Sequence, residues 1–356
     1  MKLSGRNYKR IVIKIGSSLL YAENKKLDLS ILRGVAGGIL RLVKEGREVV
    51  VVSSGAIALG MHVLGLKDRP GQLHYLQAAA AIGQSELMNT YRKFFKSKGY
   101  PGAQVLLTWE DFSNRKRYLN AKNTLLTLLK LGSIPIINEN DTVSTEEIKF
   151  GDNDRLSALV SNLVSADLLI ILSDVEGLLG KNRKTVVRLV NEITPQIMSL
   201  ASSTDKKTSI GGMLTKIEAA KIAVDSGIPC VIANGRRKDI ISSVIKAPQA
   251  QGTLFLPGKG YLAAKKRWIA FNTKPKGRII VDEGAKNALL NKKSLLSVGV
   301  IGVEGSFECG DIASVVTANN LQIGIGKAGI SSKALQEVKG RRCDKEVIHR
   351  DNIVIL

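Results

Sequence analysis

Short apolar runs rich in β-branched residues recur along the first two thirds of the chain, and they are continuous rather than alternating. Continuous runs of about four to eight apolar residues are typical of strands covered on both faces, as in a largely parallel sheet. We predict six such strands, at residues 10–16 (RIVIKIG), 48–55 (EVVVVSSG), 104–108 (QVLLT), 134–140 (IPIINEN), 167–174 (DLLIILSD) and 229–234 (PCVIAN).

Between these runs the apolar residues recur at the spacing of three and four that is typical of helices. We predict helices at residues 29–44, 73–98, 121–131, 155–163 and 215–226. The alternation of strands and helices predicts an α/β fold, a three-layer αβα sandwich around a mostly parallel sheet.

The pattern changes after about residue 265, where short strands are separated by Gly and Asp turns and one helix is predicted at residues 283–290. This pattern is typical of a small, mostly-β domain. A chain of 356 residues is also too long for one ordinary core. We therefore predict a large domain at residues 1–265, a linker at 266–275 and a small domain at 276–356.

Composition and charge narrow the class of protein. Hydrophobic residues make up 44% of the chain and charged residues 24%, which excludes wholesale disorder. The formal net charge is +22, but residues 275–356 hold 12 Lys+Arg and 9 Asp+Glu, a net charge of only +3. Residues 236–274 contain nine basic residues and one acid. This basic stretch is either a solvated face or a site for a polyanion.

The cysteines and the apolar runs indicate a compartment. Cys230, Cys309 and Cys343 are far apart and form no CxxC pair, so we expect reduced thiols. Lys14 interrupts the apolar run that follows the basic N-terminus, which argues against a secretory signal. No apolar stretch approaches the roughly 20 residues that span a bilayer. We expect a cytoplasmic protein with no membrane partner.

Polar clusters follow several of the predicted strands. GSS follows the first strand, SSGA the second, NEND the fourth and SD the fifth. In an open α/β sheet, ligands bind beyond the carboxyl ends of the strands. The sequence therefore predicts a binding site at this edge of the sheet rather than a set of unrelated solvated turns.

Glycines and lysines in these segments are suited to phosphate. Gly16 after a strand and Gly211–Gly212 before a helix allow backbone N–H groups to approach an anion closely. Lys216 lies one turn into that helix, and Lys14 lies within an otherwise apolar strand. A buried strand lysine is costly unless it is paired. The alternative is that Lys14 lies at the edge of the sheet and extends into solvent.

Asp154 or Asp152 is the candidate partner for these lysines. Lysines, a metal ion and backbone amides supply what phosphoryl transfer requires, which is positioning and neutralisation of the transferred group. The three histidines, His62, His74 and His349, are dispersed. Neither a Ser/His/Asp arrangement nor a zinc site is therefore expected.

The motifs together resemble those of the glutamate 5-kinases of the amino acid kinase superfamily. The kinase motifs are VIKIGSSLL, VVSSGAIALG, NENDTV, GDNDRLSA and IGGMLTK. GTLFLP, KKRWIAF and VDEGAKNAL are similar to the end of that kinase domain and to the PUA domain that follows it in many bacterial members. The resemblance covers essentially the whole chain, in colinear order.

This resemblance implies ATP-dependent phosphorylation of the L-glutamate γ-carboxylate to L-glutamyl 5-phosphate, the first step of proline biosynthesis. The implied cofactors are ATP and Mg²⁺, with the metal ion carried by ATP rather than by a protein site. The implied partners are glutamate, proline as a feedback inhibitor, further copies of the chain in a dimer or tetramer, and glutamyl phosphate reductase. Nucleic acid is not an expected partner.

The resemblance also implies roles for individual residues. Lys14 and Lys216 would contact the ATP phosphates, and Asp154 would orient them. The implied ATP-binding residues are Lys14, Gly16, Ser173, Asp174, Ile210, Gly211, Gly212, Met213, Leu214, Thr215 and Lys216. The implied glutamate-binding residues are Ser54, Asp141 and Asn153. Ile210, Leu214 and Ser173 depart from the residues usual in similar kinases, which affects nucleotide contacts rather than the reaction.

Two other functions are compatible with parts of the sequence. One is another amino acid kinase, acting on acetylglutamate, aspartate, carbamate or a nucleotide, which the SSGAIALG, NEND and GDND motifs argue against. The other is RNA binding, suggested by the PUA-like region and the pI near 9.9. The small net charge of the PUA-like region and the aromatic content of 4% argue against that function.

Overall fold

The computed structural model describes residues 8–20, 29–143, 153–202, 212–258, 269, 275–343 and 345–355. The chain forms two compact units, one of residues 1–111 and 115–261, the other of residues 112–114 and 262–356. The linker predicted at residues 266–275 lies outside the described residues except for Ile269 and Pro275. The proposed domain boundaries therefore stay a prediction.

The first unit contains an eight-stranded sheet in which neighbouring strands pair in the order β3-β4-β2-β1-β5-β7-β8-β6. Its strands are β1 Arg10–Ile15, β2 Glu48–Ser53, β3 Gly102–Leu107, β4 Ile134–Glu139, β5 Leu168–Ser173, β6 Leu189–Val190, β7 Cys230–Asn234 and β8 Gly252–Phe255. The pairing of β7 with β8 is antiparallel and the other pairings are parallel. The six predicted strands are confirmed. The short β6 and β8 were not predicted.

The helices lie between these strands along the chain. They are α1 Ser30–Lys44, α2 Ala56–Val63, α3 Leu73–Lys96, α4 Trp109–Ser113, α5 Arg115–Lys130, α6 Asn153–Leu163, α7 Pro195–Ser202, α8 Met213–Asp225 and α9 Ile240–Lys246, with a 3-10 helix at Ser17–Leu20. The predicted start of α5 at residue 121 is six residues too late, because the helix begins with the charged residues Arg115, Lys116 and Arg117, which carry no apolar period. The five predicted helices are present, and the α/β fold is confirmed.

The central strand β1 has two different faces. Ile11, Ile13 and Ile15 pack in one core cluster with side chains of α1, α3 and α9. Lys14 points to the opposite face because successive strand residues alternate. It lies between Val52 of β2 and Ile171 of β5. Lys14 is therefore in the middle of the sheet, and the alternative that it extends into solvent from an edge strand is wrong.

Helices α2 and α3 cross at two glycines. A Cβ on Gly60 would overlap the carbonyl oxygen of Ala79, and a Cβ on Gly83 would overlap that of Ala56. Only glycine permits this separation of the two backbones. The crossing matters for the site because α2 begins immediately after Ser54 and Gly55, and α3 carries Gln84.

The second unit contains a five-stranded sheet in the order β10-β9-β11-β12-β13. Its elements are β9 Gly277–Val281, α10 Glu283–Leu290, β10 Val300–Gly305, β11 Ile312–Thr317, β12 Gln322–Lys327, α11 Ser332–Val338 and β13 Ile353–Ile355. Helix α10 has the predicted bounds, and the Asp282 carboxylate caps it by accepting a hydrogen bond from the Ala285 N–H at 2.7 Å. The mostly-β architecture is confirmed.

Among the residues that the structure describes, no helix is long and apolar enough to cross a membrane.

The glycine crossing gives a stability prediction. Gly60→Ala should lower the free energy of unfolding by about 1–3 kcal/mol or more, because an added methyl group forces α2 away from α3. The matched control is Gly34→Ala in α1, where an added Cβ meets no atom within 4 Å. That change should raise stability by about 0.5–1 kcal/mol, since alanine is the better helix former. Urea unfolding of both variants measures the difference, and equal effects would contradict the role of the crossing.

Candidate active site

Four parallel strands bring the polar clusters to one edge of the sheet. β1 pairs with β2 and β5, and β2 pairs with β4, all in parallel register. Their carboxyl ends carry Gly16, Ser54, the segment after Glu139, and Ser173. The predicted convergence of these segments is therefore present in the fold.

A buried carboxylate lies between two buried lysines at this edge. The Asp154 Oδ1 atom is 2.5 Å from the Lys14 Nζ atom, and Oδ2 is 3.2 Å from the Lys216 Nζ atom. Lys14 and Lys216 are each 5% exposed, and Asp154 is 1% exposed. Lys14 lies in β1, Asp154 in the first turn of α6 and Lys216 in the first turn of α8. Of the two candidate partners, Asp154 is the one that holds the lysines; Asp152 lies outside the described residues.

The charges of this triad shift its pKa values. Burial alone would raise the pKa of Asp154, but the charges of Lys14 and Lys216 and their hydrogen bonds outweigh it and hold the pKa below its usual value. Burial lowers the pKa of Lys216, and the charge of Lys14 lowers it further, against the opposing effect of Asp154. Two ammonium groups share one carboxylate, so the triad carries a formal net charge of +1. A buried positive excess favours an anion beside it.

The start of α8 adds a hydroxyl to this triad. The Thr215 Oγ1 atom donates to Asp154 Oδ2 at 3.0 Å, so a residue expected to contact the nucleotide also orients the carboxylate. Gly212 precedes the helix, and an added Cβ there meets no atom within 4 Å. Leu214 is 39% exposed. Ile210 and Gly211, also expected at the nucleotide, lie outside the described residues.

A second carboxylate lies after β5. Asp174 Oδ1 accepts hydrogen bonds from the hydroxyls of Ser173 and Ser18, each at 3.1 Å. Burial would raise the pKa of Asp174, but its own backbone N–H, these two hydroxyls and the charge of Lys216 together hold the pKa below its usual value. Asp174 is therefore an ionised acceptor within electrostatic range of the triad.

Asn153, next to Asp154 in the chain, is the centre of an amide network. Its Nδ2 atom donates to Ser54 Oγ and to Asn138 Oδ1, both at 2.9 Å. Asn138 Nδ2 in turn donates to Gln84 Oε1 on α3 at 2.8 Å. The network joins the ends of β2 and β4 to α3 and α6. It brings the expected glutamate-binding residues Ser54 and Asn153 into direct contact.

Asp141, the third expected glutamate-binding residue, lies two residues beyond β4 and is half-buried. It lies within electrostatic range of Arg69. Burial lowers the pKa of Arg69, and the Asp141 carboxylate opposes that shift. A carboxylate and a guanidinium therefore lie within electrostatic range of each other, and charges of both signs suit a zwitterionic ligand.

The sequence reasoning gave no role to Gln84, Asn138 or Ser18. Asn138 Oδ1 also accepts from the Glu139 N–H at 2.9 Å, so this buried side chain is bonded in several directions. A signal for Gln84 was present, because it is a polar residue in the apolar segment AAAAIGQ of α3. Ser18 lies two residues after Gly16. Its contact with Asp174 could not be seen in the sequence, because it depends on the pairing of β1 with β5.

The cysteines and the potential metal-binding side chains are the candidates for a second kind of site. The three cysteines are free thiols, and burial raises the pKa of the Cys230 thiol. In the described part of the chain, no group of three or more His, Cys, Asp or Glu side chains is arranged to hold a metal ion.

Comparison with known proteins gives the family. The amino acid kinase family model matches residues 9–234, and the PUA domain model matches residues 277–349. The first match covers more than half of the chain. The chain therefore belongs to the amino acid kinase family, with a PUA domain following the kinase domain.

Within this family the chain is similar to glutamate 5-kinases. It is 45% identical to the glutamate 5-kinase of Thermoanaerobacter sp. (strain X514), over 98% of both chains. It is 46% identical to that of Caldanaerobacter subterraneus subsp. tengcongensis, again over 98% of both chains, and 44% identical to that of Pelobacter propionicus over 99% of this chain and 98% of the relative. The resemblance seen in the motifs is confirmed over the full length.

The triad gives a prediction for stability. Asp154→Asn should lower the free energy of unfolding by about 3–5 kcal/mol near neutral pH, because it leaves two buried ammonium groups without their counter-charge. The pKa of Asp154 is lowered in the folded protein, so its contribution is complete above the ordinary carboxyl pKa and is lost as the pH falls through the lowered value. The difference between parent and variant should therefore shrink only below about pH 4.

The matched control is Asp225→Asn on α8, which removes a solvent-exposed ion pair with Lys221. It should cost no more than about 0.5 kcal/mol. Denaturant unfolding across pH measures both variants. Equal destabilisation by the two substitutions would contradict the buried role of Asp154.

Proposed function

We propose that this protein transfers the γ-phosphoryl group of ATP to the γ-carboxylate of L-glutamate, giving L-glutamyl 5-phosphate and ADP in the first step of proline biosynthesis. The observation that carries the proposal is the triad of Lys14, Asp154 and Lys216. It places two ammonium groups and a net positive charge in a buried position at the carboxyl edge of a parallel sheet. Such an edge is where open α/β sheets bind ligands.

The two lysines would neutralise charge on the transferred group. In the proposed step a γ-carboxylate oxygen of glutamate bonds to the γ-phosphorus, the bond from that phosphorus to the bridging oxygen breaks, and the bridging oxygen leaves with the electron pair as part of ADP. Lys14 and Lys216 would hold the phosphoryl oxygens, and Asp154 keeps both lysines in position. Preorganised charges of this kind act strongly where water is excluded.

This reaction requires no general base. A glutamate carboxylate has an ordinary pKa near 4.3 and is already ionised at neutral pH. Among the described residues, no histidine takes part in the triad or in the amide network. The residue types of the site therefore suit a carboxylate acceptor better than an alcohol acceptor, which would need a proton removed.

Of the residues around the triad, some would bind glutamate and the others would bind the nucleotide. Ser54, Asn153 and Asp141 would bind glutamate, with Asp141 facing its ammonium group. The nucleotide would lie along Gly16, Ser173, Asp174 and the start of α8. Because Asn153 and Asp154 are consecutive at the start of α6, the glutamate side and the phosphoryl side meet at one helix turn.

Mg²⁺ would be bound by the phosphates of ATP. The donors around the triad are mainly ammonium and hydroxyl groups, which suit phosphate oxygens rather than a metal ion. When bound, the ion would add neutralisation of the polyphosphate charge. The residues of the chain would position the phosphates and the attacking carboxylate.

Further features follow from similarity to the glutamate 5-kinases and belong to the same proposal. The protein would act in the cytoplasm as a dimer or tetramer, and proline would inhibit it. Its acyl phosphate product is a reactive mixed anhydride that a second enzyme must consume, and glutamyl phosphate reductase would be that partner.

The proposal is tested by offering the purified protein rival acceptors. ATP turnover and hydroxamate formation are measured with glutamate, acetylglutamate, aspartate and carbamate in parallel. We expect glutamate to give a kcat/KM well above the other three. A preference for acetylglutamate, aspartate or carbamate would assign the chain to another branch of the amino acid kinases.

Loss of either lysine should mainly affect turnover. Lys14→Ala and Lys216→Ala should each lower kcat on the order of 10²- to 10³-fold, because each removes one charge-stabilising group. The control is Lys221→Ala, a change of the same type on the exposed side of α8. It should leave kcat within about twofold of the parent. Near-normal turnover by a folded Lys216→Ala variant would remove Lys216 from the mechanism.

Asp141 should affect glutamate binding rather than chemistry. The ammonium group of glutamate is remote from the reacting carboxylate, so its contact is similar in the ground and transition states. Asp141→Asn should raise the KM for glutamate about ten- to a hundredfold, since hydrogen bonds to ions contribute about 1.5–3 kcal/mol. The KM for ATP should change little. A raised ATP KM with an unchanged glutamate KM would instead place Asp141 at the nucleotide.

A further inference from the structure

The loop after β7 packs against the turn after β1. The Gly235 N–H donates to the Ser173 carbonyl at 2.8 Å. A Cβ on Gly235 would overlap the end of the Leu19 side chain, so the two segments lie close together. The next residue, Arg236, extends its guanidinium to this turn, where Nη2 donates to the Ser18 carbonyl at 2.9 Å.

Ser18 connects this arginine to the proposed nucleotide site. While its carbonyl accepts from Arg236, its hydroxyl donates to Asp174. The Ser18 hydroxyl and the Lys14 ammonium each lie 3.6 Å from the point that a Cβ on Gly16 would occupy. Ser18 therefore contacts the Arg236 guanidinium through its carbonyl, and its hydroxyl lies beside Gly16 and Asp174, which belong to the proposed nucleotide site.

Arg236 is itself held in place at its backbone. Its N–H donates to Asn234 Oδ1 at 2.9 Å, and Asn234 Nδ2 donates to Glu176 Oε1 at 2.7 Å. Glu176 also pairs with Arg237, whose side chain is 41% exposed. The side chains of these two adjacent arginines thus have different partners. Arg236 bonds to the turn beside the site, and Arg237 pairs with a surface carboxylate.

We propose that Arg236 is a positioning residue for nucleotide binding, which fixes the turn at Ser18 so that the Ser18 hydroxyl holds Asp174 in its binding orientation. A hydrogen bond from a charged donor to a half-buried carbonyl contributes more than one between neutral groups. Among the described residues, the backbone of this turn is also held by the hydrogen bond from the Leu19 N–H to the Gly16 carbonyl. In this proposal Arg236 acts through Ser18. This inference rests on the nucleotide site proposed above.

The test is steady-state kinetics with each substrate varied in turn. Arg236→Gln should raise the KM for ATP about five- to tenfold, as expected for the partial loss of a charged hydrogen bond. The KM for glutamate and kcat should stay within about twofold of the parent. Arg237→Gln removes the same charge from the adjacent residue and should leave all three parameters within about twofold. Arg236→Lys keeps a charged donor and should give an ATP KM between those of the parent and Arg236→Gln.

A double-substitution cycle separates this route from a general effect of charge. Ser18→Ala should raise the ATP KM by itself, and adding Arg236→Gln to it should cause little further change, because the two residues act through one contact. If the two effects multiply, or if Arg237→Gln matches Arg236→Gln, Arg236 acts by charge alone and the proposal is wrong. An unchanged ATP KM in either Arg236→Gln or Ser18→Ala also overturns it.

The outcome is distinguishable from a failure of the proposed function. If the parent protein shows no glutamate-dependent ATP turnover, the function is wrong, and direct ATP binding by the parent and variants still tests the positioning role. Should Arg236→Gln fail to fold, Ser18→Ala carries the test, and a normal ATP affinity in that variant overturns the proposal.

Discussion

The shared carboxylate of Asp154 is the interaction on which the site depends. Two lysine ammonium groups can lie together in a nearly water-free position only if a carboxylate lies between them, because like charges repel and burial disfavours both. Asp154 meets Lys14 at 2.5 Å and Lys216 at 3.2 Å. These three residues come from β1, α6 and α8, so the ion pairs also fix how two helices lie on one face of the sheet.

The position of Asp154 at the start of α6 organises the rest of the edge. The preceding residue, Asn153, faces the amide network with Ser54 and Asn138, while Asp154 faces the lysines. Adjacent residues at the start of one helix therefore connect two neighbouring polar regions. The remaining residues of α6 are buried except for Arg155. This burial fixes the position of the helix start relative to β1 and β5.

Several site residues were predictable because each departs from its local pattern. Lys14 interrupts an apolar strand, Asp154 lies in a polar cluster just before a predicted helix, and Lys216 follows a glycine pair. Gln84 and Arg236 were not assigned roles. Glutamine on a helix and arginine in a basic loop are common on surfaces, and only the packing of the chain decides which of them face inward. The roles of the expected residues remain predictions, and Ile210 and Gly211 lie outside the described residues.

The sequence by itself determined six of the eight strands of the central sheet, the fold class and the sheet edge that carries the candidate site. Continuous apolar runs require cover on both faces, and parallel strands place their carboxyl ends together. It did not determine the short strands β6 and β8, whose two to four residues carry no period. Only the tertiary structure decided that Lys14 lies in the central strand, that Asp154 holds both lysines, and that Arg236 reaches Ser18, 218 residues away. Such contacts depend on strand order and helix packing, which bring together residues that local sequence patterns leave unrelated.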